Sequence, residues 1–160
     1  MKNSIEFFDN IINECNNQIN DKVSGINYLE KLKYLLIEKI QNSQTTFDLL
    51  DNKNEKEIVK NYGVNELHIT LERYQESKSR IKHKILRDYV SIVLKGSKSI
   101  EIYDTFHPNQ SNKLNLFKGS GISLTQDTVI NESILKNTIL LNIFNNKKKE
   151  VIEKNEKDII

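Results

Sequence analysis

The stretch DYVSIVLKGSKSIEIYDTF, residues 88–106, carries the clearest local pattern of the chain. Apolar residues occupy every second position over 90–94 and again over 100–102, on either side of the Gly-Ser pair at 96–97. A period of two is typical of a half-buried strand, and Gly-Ser suits the central positions of a type II′ turn. The stretch therefore predicts a β-hairpin at about 88–104.

Other segments upstream and downstream carry weaker strand signals. Leu67, Ile69 and Leu71 alternate with polar residues, which predicts another half-buried strand. Residues 79–87 and 138–144 fit a helix as well as a strand, because short apolar runs match both periods. The residues from Asn109 to Gly121 are rich in Asn, Ser and Gly and are interpreted as a polar loop.

The first forty residues carry a helical period instead. Apolar residues recur at spacings of three and four, which places them on one stripe of a helix. This stripe, predicted to form core and a possible interface, includes Ile5, Phe8, Ile12, Ile19, Leu29 and Leu36. Gly25 interrupts the stripe and is unfavourable inside a helix, so a helical hairpin hinged near residues 21–25 is favoured. One long helix in a coiled coil is the alternative.

Together these patterns predict an α+β fold. An N-terminal helical hairpin would cover one face of a small antiparallel sheet built around the hairpin at 88–104. A final helix or strand would follow at 131–144. A single domain is predicted over 1–146, and the lysine-rich residues 147–160 are interpreted as a charged tail.

The composition limits what the charges can mean. The chain of 160 residues has no alanine and holds 21 lysines against 3 arginines, which indicates an AT-rich, low-GC genome. Glu6 and Asp9 fall where a secretory signal needs an apolar core, and no run reaches the ~18–20 apolar residues of a membrane span. With a single cysteine, Cys15, the sequence predicts a cytoplasmic protein, or one in a particle assembled there.

No pattern for catalysis or metal binding is found in the sequence. His68, His83 and His107 have no ligand partner three or four residues away, so no metal site is predicted. The Gly-Ser turns lack the spacing of a phosphate-binding loop, and no Ser-His-Asp arrangement is visible. We therefore expect no cofactor and predict that the chain is not an enzyme.

One local charge asymmetry stands out. Residues 78–98 hold seven basic residues and one acidic residue, whereas residues 47–77 are net negative. If 80–84 is a strand, alternate basic side chains project from one face, opposite Ile81, His83 and Ile85. Such a stripe is suited to a phosphate backbone, although it can also pair with the acidic segment. The candidate nucleic-acid-binding residues are Arg80, Lys82, Lys84 and Arg87.

Three functional hypotheses follow. The leading one is a structural or assembly protein, for example of a phage or mobile-element particle, that self-associates or docks a protein partner. The second is a nucleic-acid-binding or regulatory protein that uses the basic segment at 78–98. The third is an enzyme whose residues converge only in three dimensions.

Overall fold

The computed structural model describes residues 4–42 and 57–146. Within them the chain forms two helices followed by nine strands, so the predicted α+β composition is confirmed. The elements are α1 (Ser4–Asn16), α2 (Gly25–Asn42), β1 (Glu57–Tyr62), β2 (Asn65–Tyr74), β3 (Lys78–Lys84), β4 (Tyr89–Lys95), β5 (Ser97–Tyr103), β6 (Ser111–Phe117), β7 (Gly121–Leu124), β8 (Val129–Ile134) and β9 (Thr138–Asn145). The tail predicted at 147–160 lies outside the described residues.

The strands form two antiparallel sheets, so the prediction of one small sheet was wrong. The central sheet has the strand order β1-β2-β9-β4-β7, and the outer sheet has the order β3-β8-β5-β6. Residues 79–87 and 138–144, which fitted both periods, contribute the strands β3 and β9. The predicted polar loop at 109–121 contains β6, which pairs with β5 along its whole length. No helix in the described residues is long and apolar enough to cross a bilayer.

The predicted β-hairpin at 88–104 was also wrong, because its two strands do not pair. β4 pairs with β7 and β9 in the central sheet, while β5 pairs with β6 and β8 in the outer sheet. Gly96, with φ of +84°, is the corner between them. A Cβ there would lie 2.4 Å from Oγ1 of Thr138 and 2.7 Å from its Cα. Alternation shows which face a residue occupies, but it does not identify the neighbouring strand.

Thr138 holds the corner in place. Its Oγ1 accepts a hydrogen bond from the backbone N–H of Ser97 at 3.1 Å and donates one to the Ser97 carbonyl at 3.1 Å. The side chain of Thr138 is fully buried. The start of β9 in the central sheet is therefore tied to the start of β5 in the outer sheet.

The two helices pack on one face of the central sheet. The alternative of one long helix is excluded, because α1 ends at Asn16 and α2 begins at Gly25. Lys60 of β1 forms an ion pair with Asp9 at 2.6 Å, and Lys39 of α2 forms one with Glu14 at 2.9 Å. Four residues of the predicted stripe are fully buried: Phe8, Ile12, Leu29 and Leu36. Ile19 is 8% exposed, and the side chain of Ile5 lies outside the described part.

The central sheet is the middle of three layers. One apolar cluster lies between it and the helices, and a second lies between it and the outer sheet. Its inner strands β4 and β9 are therefore buried at nearly every position. A strand buried on both faces is a continuous apolar run, which explains why the period of β9 could not be recognised in the sequence.

Candidate functional site

A cleft of about 280 Å³ opens between the facing sides of the two sheets. Six strands line it: β2, β4 and β9 from the central sheet, and β3, β5 and β8 from the outer sheet. The segment 85–87, between β3 and β4, completes the wall. The charged residues that line the cleft are five basic and two acidic: Lys78, Arg80, Lys84, Arg87, Lys98, Glu72 and Glu132.

A buried ion pair lies in the wall formed by β5 and β8. The Nζ of Lys98 is 2.7 Å from the Oε2 of Glu132, and the two side chains are 2% and 10% exposed. Lys98 also donates a hydrogen bond to the Oγ of Ser91, at 3.3 Å, across the gap between the sheets. A buried ion pair is often no more stabilising than apolar residues of the same volume. Its presence is therefore weak evidence for stability.

Glu72 and Tyr74 form a second polar pair at the end of β2. They are two positions apart on a strand, so both project from the same face. The Tyr74 hydroxyl donates a hydrogen bond of 2.5 Å to the Oε2 of Glu72. Burial, followed by this bond, raises the pKa of Tyr74 above its usual range. The phenol therefore stays protonated near neutral pH and acts as a hydrogen-bond donor.

An irregularity in β3 places Arg80 and His83 on the same side of the outer sheet. The pairing of β3 with β8 shifts between these two residues, and Lys82 between them has a φ of 39°. Arg80 then lies opposite Glu132, and His83 lies opposite Ile130. The predicted strict alternation, with Arg80 and His83 on opposite faces, was wrong because a bulge adds a residue to one strand.

His83 is neutral near neutral pH. Burial, and then the positive charge of Arg80, lower the pKa of its imidazole below the ordinary value. Its Nδ1 is buried and has no hydrogen-bond partner in the described structure. The cleft thus contains a ring nitrogen that is able to bond to a ligand.

The four residues proposed from the sequence for nucleic-acid binding are not all together. Arg80, Lys84 and Arg87 line the cleft, but Lys82 does not. The Nζ of Lys82 lies 5.1 Å from the centre of the Tyr103 ring. Arg87 stacks over Phe144 at 4.4 Å and donates a hydrogen bond to Asn146, and burial lowers the pKa of its guanidinium.

A polar row lies on the face of the central sheet toward the outer sheet, and its middle residue, Asn142, forms the floor of the cleft. Thr70, Asn142 and Ser91 lie side by side on β2, β9 and β4. Asn142 is 5% exposed, yet its Oδ1 has no hydrogen-bond partner in the described structure. The same is true of the Oγ1 of Thr70. A buried polar atom without a partner costs about 1–3 kcal/mol, so this row lowers the stability of the free protein.

Sequence reasoning missed several of these residues, although a signal for two of them was present. Lys98 is in phase with Ile100 and Ile102, and Glu132 is in phase with Ile130 and Ile134. A charged residue in the apolar phase of a strand points into the interior. Glu72, Tyr74 and Asn142 carry no comparable signal, since their significance depends on which strands are neighbours.

No group of three or more His, Cys, Asp or Glu side chains that could hold a metal occurs in residues 4–42 and 57–146. Cys15 lies in the helix-side core, far from the cleft, and its burial raises the pKa of the thiol to about 11. The side chains that line the cleft offer hydrogen bonding, charge pairing and proton transfer.

Comparison with known proteins gives distant structural likeness only. No family model and no curated protein matches the sequence. A variant of oxalate decarboxylase from Bacillus subtilis is similar with a TM-score of 0.47 and 16% identity, over 64% of this chain and 29% of that one. KdgF from Halomonas sp. has a TM-score of 0.44 and 13% identity, over 59% and 81%. Drosophila melanogaster CENP-C bound to CAL1 has a TM-score of 0.43 and 11% identity, over 56% and 76%.

The prediction that the chain is not an enzyme was drawn from the absence of catalytic motifs, and it was wrong. The similar structures include cupin-fold enzymes, among them the oxalate decarboxylase and a DMSP lyase. At 11–16% identity these likenesses carry no particular activity over to this chain.

Proposed function

We propose that the cleft binds a small organic anion. The observation that carries this proposal is the excess of positive charge around a small open cleft, with five basic and two acidic side chains around about 280 Å³. Glu132 pairs with Lys98, and Glu72 accepts the hydrogen bond of Tyr74. An anion would supply countercharge to the remaining basic side chains, of which Lys78, Arg80 and Lys84 are exposed.

The cleft also has an apolar side, which favours an organic ligand over a bare inorganic ion. Ile85, Tyr89, Leu140 and Phe144 line it, and the rings of Tyr89 and Phe144 stack with their centres 5.0 Å apart. Small-molecule sites typically combine such apolar walls with a few convergent polar groups. The volume suits a small molecule, being close to the lower end of the range for ligand pockets.

The test is binding of small anions, measured by thermal shift and calorimetry. Citrate, gluconate and benzoate are compared with the neutral compounds glucose and benzyl alcohol. A ligand that binds only the folded state raises the melting temperature with concentration, so we expect the anions to do so and the neutral compounds not to. Stabilisation by none of the anions would refute the proposal.

A matched pair of arginine variants locates the effect. Arg80→Gln removes a positive charge from the cleft, whereas Arg73→Gln removes one from the opposite face of β2, between Glu72 and Tyr74. We expect Arg80→Gln to weaken anion binding at least about tenfold, the effect of losing a charged hydrogen bond, and Arg73→Gln to leave it unchanged. Equal effects of the two variants would mean that the anion is bound elsewhere.

The same assay separates this proposal from the nucleic-acid hypothesis. A polymer that follows the basic segment would use Lys82 together with Arg80, Lys84 and Arg87. A small ligand inside the cleft would not use Lys82, because that residue is outside the lining. Lys82→Gln should therefore leave anion binding intact. Loss of binding of a single-stranded oligonucleotide in Lys82→Gln would favour the nucleic-acid role.

A second candidate function is assembly with another copy of the chain along β6. This strand is an edge of the outer sheet, and Leu114 and Phe117 on it are 41% and 59% exposed. An unprotected edge strand can pair with an identical strand of another molecule. Phe117→Lys should then lower the mass measured by light scattering to the monomer value of 18.7 kDa. A monomeric native chain at high concentration would remove this candidate.

A further inference from the structure

The floor of the cleft contains an acceptor that the protein leaves unpaired. Asn142 is 95% buried, lines the cleft and has an Oδ1 without a hydrogen-bond partner in the described structure. A side-chain amide oxygen only accepts hydrogen bonds. The group that satisfies it must therefore bring a donor, and a carboxylate alone cannot do so.

The neighbours of Asn142 do not supply this donor. Ser91 lies beside it on β4, and its Oγ accepts the hydrogen bond from Lys98. Thr70 lies on the other side on β2, and its own Oγ1 also has no partner in the described residues. The unpaired atoms are thus on neighbouring residues of this face of the central sheet, and Lys98 approaches the face from β5 of the outer sheet.

The wall formed by the outer sheet also contains a buried polar atom without a hydrogen-bond partner in the described structure. His83 is held by β3 of the outer sheet, with a buried Nδ1 that has no partner in the described structure. A neutral imidazole nitrogen either donates or accepts one hydrogen bond. A hydroxyl group can donate to one atom while it accepts from another, so a ligand hydroxyl is suited to a cleft with unpaired atoms on both walls.

We infer that the ligand is a hydroxy acid, whose anionic group faces the cations of the cleft and whose hydroxyl donates to the Oδ1 of Asn142. This inference rests on the proposed function and specifies the chemical class of its ligand. Asn142 is then a specificity-determining residue. A site that is built to bond a hydroxyl rejects the analogue without it, because its own polar group is left unpaired.

The experiment compares acids that differ only in the hydroxyl group. Malate is compared with succinate, and 3-hydroxybutyrate with butyrate, by calorimetry at one pH and ionic strength. We expect the hydroxy member of a pair to bind roughly 10- to 100-fold more tightly. Equal affinities within the pairs would overturn the inference and leave anion binding standing, whereas no binding by any acid would count against the proposed function itself.

Two variants assign the effect to Asn142. Asn142→Leu removes the acceptor and should abolish the preference for the hydroxy acid while the plain acid still binds. Asn142→Asp keeps an acceptor of the same size and should retain the preference, although added negative charge weakens both members. Asn115→Leu, on the outward face of the outer sheet, is the control and should change neither affinity. A preference that survives Asn142→Leu would overturn the inference.

Discussion

The two faces of the central sheet are built from the same strands and serve different purposes. The face toward the helices is mainly apolar, with residues such as Ile69, Ile92 and Leu141 in one cluster, and Asn65 on it bonds to the backbone of Val23 and Gly25. The face toward the outer sheet mixes Val93 and Leu140 with polar groups that include an unpaired amide and a buried ion pair. Because side chains alternate along a strand, neighbouring residues of β9 belong to these two environments.

This difference indicates that the helix side of the central sheet mainly stabilises the fold, whereas the other face carries the candidate site. Each large side chain buried on the helix side contributes about 1.5–3 kcal/mol relative to exposure. The groups on the other face lose hydration and are incompletely paired, so they stabilise the fold less than apolar residues would. A face that retains such groups is the expected location of a binding site, since proteins tolerate local instability where function requires it.

The largest expected effect comes from breaking the buried ion pair. Lys98→Met leaves the Glu132 carboxylate without its partner, so the free energy of unfolding should fall by about 3–5 kcal/mol in urea denaturation. The double variant Lys98→Met with Glu132→Leu removes both charges and should be neutral or about 1–4 kcal/mol more stable than the native chain. A double variant as unstable as the single one would show that the polar face is needed for the fold.

A comparison of two adjacent residues of β9 sharpens the contrast between the faces. Leu141→Ala creates a cavity on the helix side and should lower the free energy of unfolding by about 2–5 kcal/mol. Asn142→Leu, on the cleft side, should instead raise it, because an unpaired buried oxygen is removed. Binding of an anion by Leu141→Ala should match that of the native chain, and a weakened affinity would mean that the two faces are coupled.

The reactivity of the Cys15 thiol is an independent test of the packing on the helix side of the central sheet. With its pKa raised to about 11 by burial, the thiol should react slowly with a disulfide reagent in the native chain. Leu141→Ala should accelerate this reaction, because Cys15 belongs to the same cluster and modification requires opening of the helix layer. An unchanged rate would show that the helices open independently of the sheet.

The corner between the sheets should respond to one added methyl group. Gly96→Ala should lower the free energy of unfolding by about 1–3 kcal/mol, because its Cβ would overlap Thr138 and φ is +84°. Gly119→Ala is the matched control: φ is +86°, but the nearest atom to its Cβ, the Nε2 of Gln41, lies at 3.4 Å. If the two variants lower the free energy of unfolding equally, the effect comes from the positive φ and not from the overlap with Thr138.

The smallest expected effect is a pH dependence from His83. Its pKa is lowered in the folded state, so the unfolded chain, with an ordinary pKa of about 6.5, binds the proton first. Stability should decrease as the pH falls below about 6.5, and His83→Gln should reduce this slope. Affinity for a fully ionised anion should increase over the same range, since protonated His83 adds a cation beside Arg80. If His83→Gln keeps the pH dependence of stability of the native chain, that dependence comes from another group.

The sequence allowed the type of most elements to be predicted, because their signals are local. The spacing of three and four around Phe8 and Ile12 predicted the helices, and the alternation around Ile69 and Ile100 predicted strands. The type stayed open at β9, where burial on both faces removes the alternation, and the faces of the side chains were predicted wrongly at β3, where a bulge at Lys82 changes the phase.

The sequence by itself therefore determined the face that most apolar residues occupy and the local geometry of the most regular segments, since both depend on periods of a few residues. Only the tertiary structure decided that β4 and β5 separate at Gly96 into different sheets, and that six strands bring Glu72, Lys98, Glu132 and Asn142 around one cleft. The physical reason is that an alternating strand specifies its faces but can pair with any strand of matching pattern. The choice of neighbours is made by the packing of the whole chain.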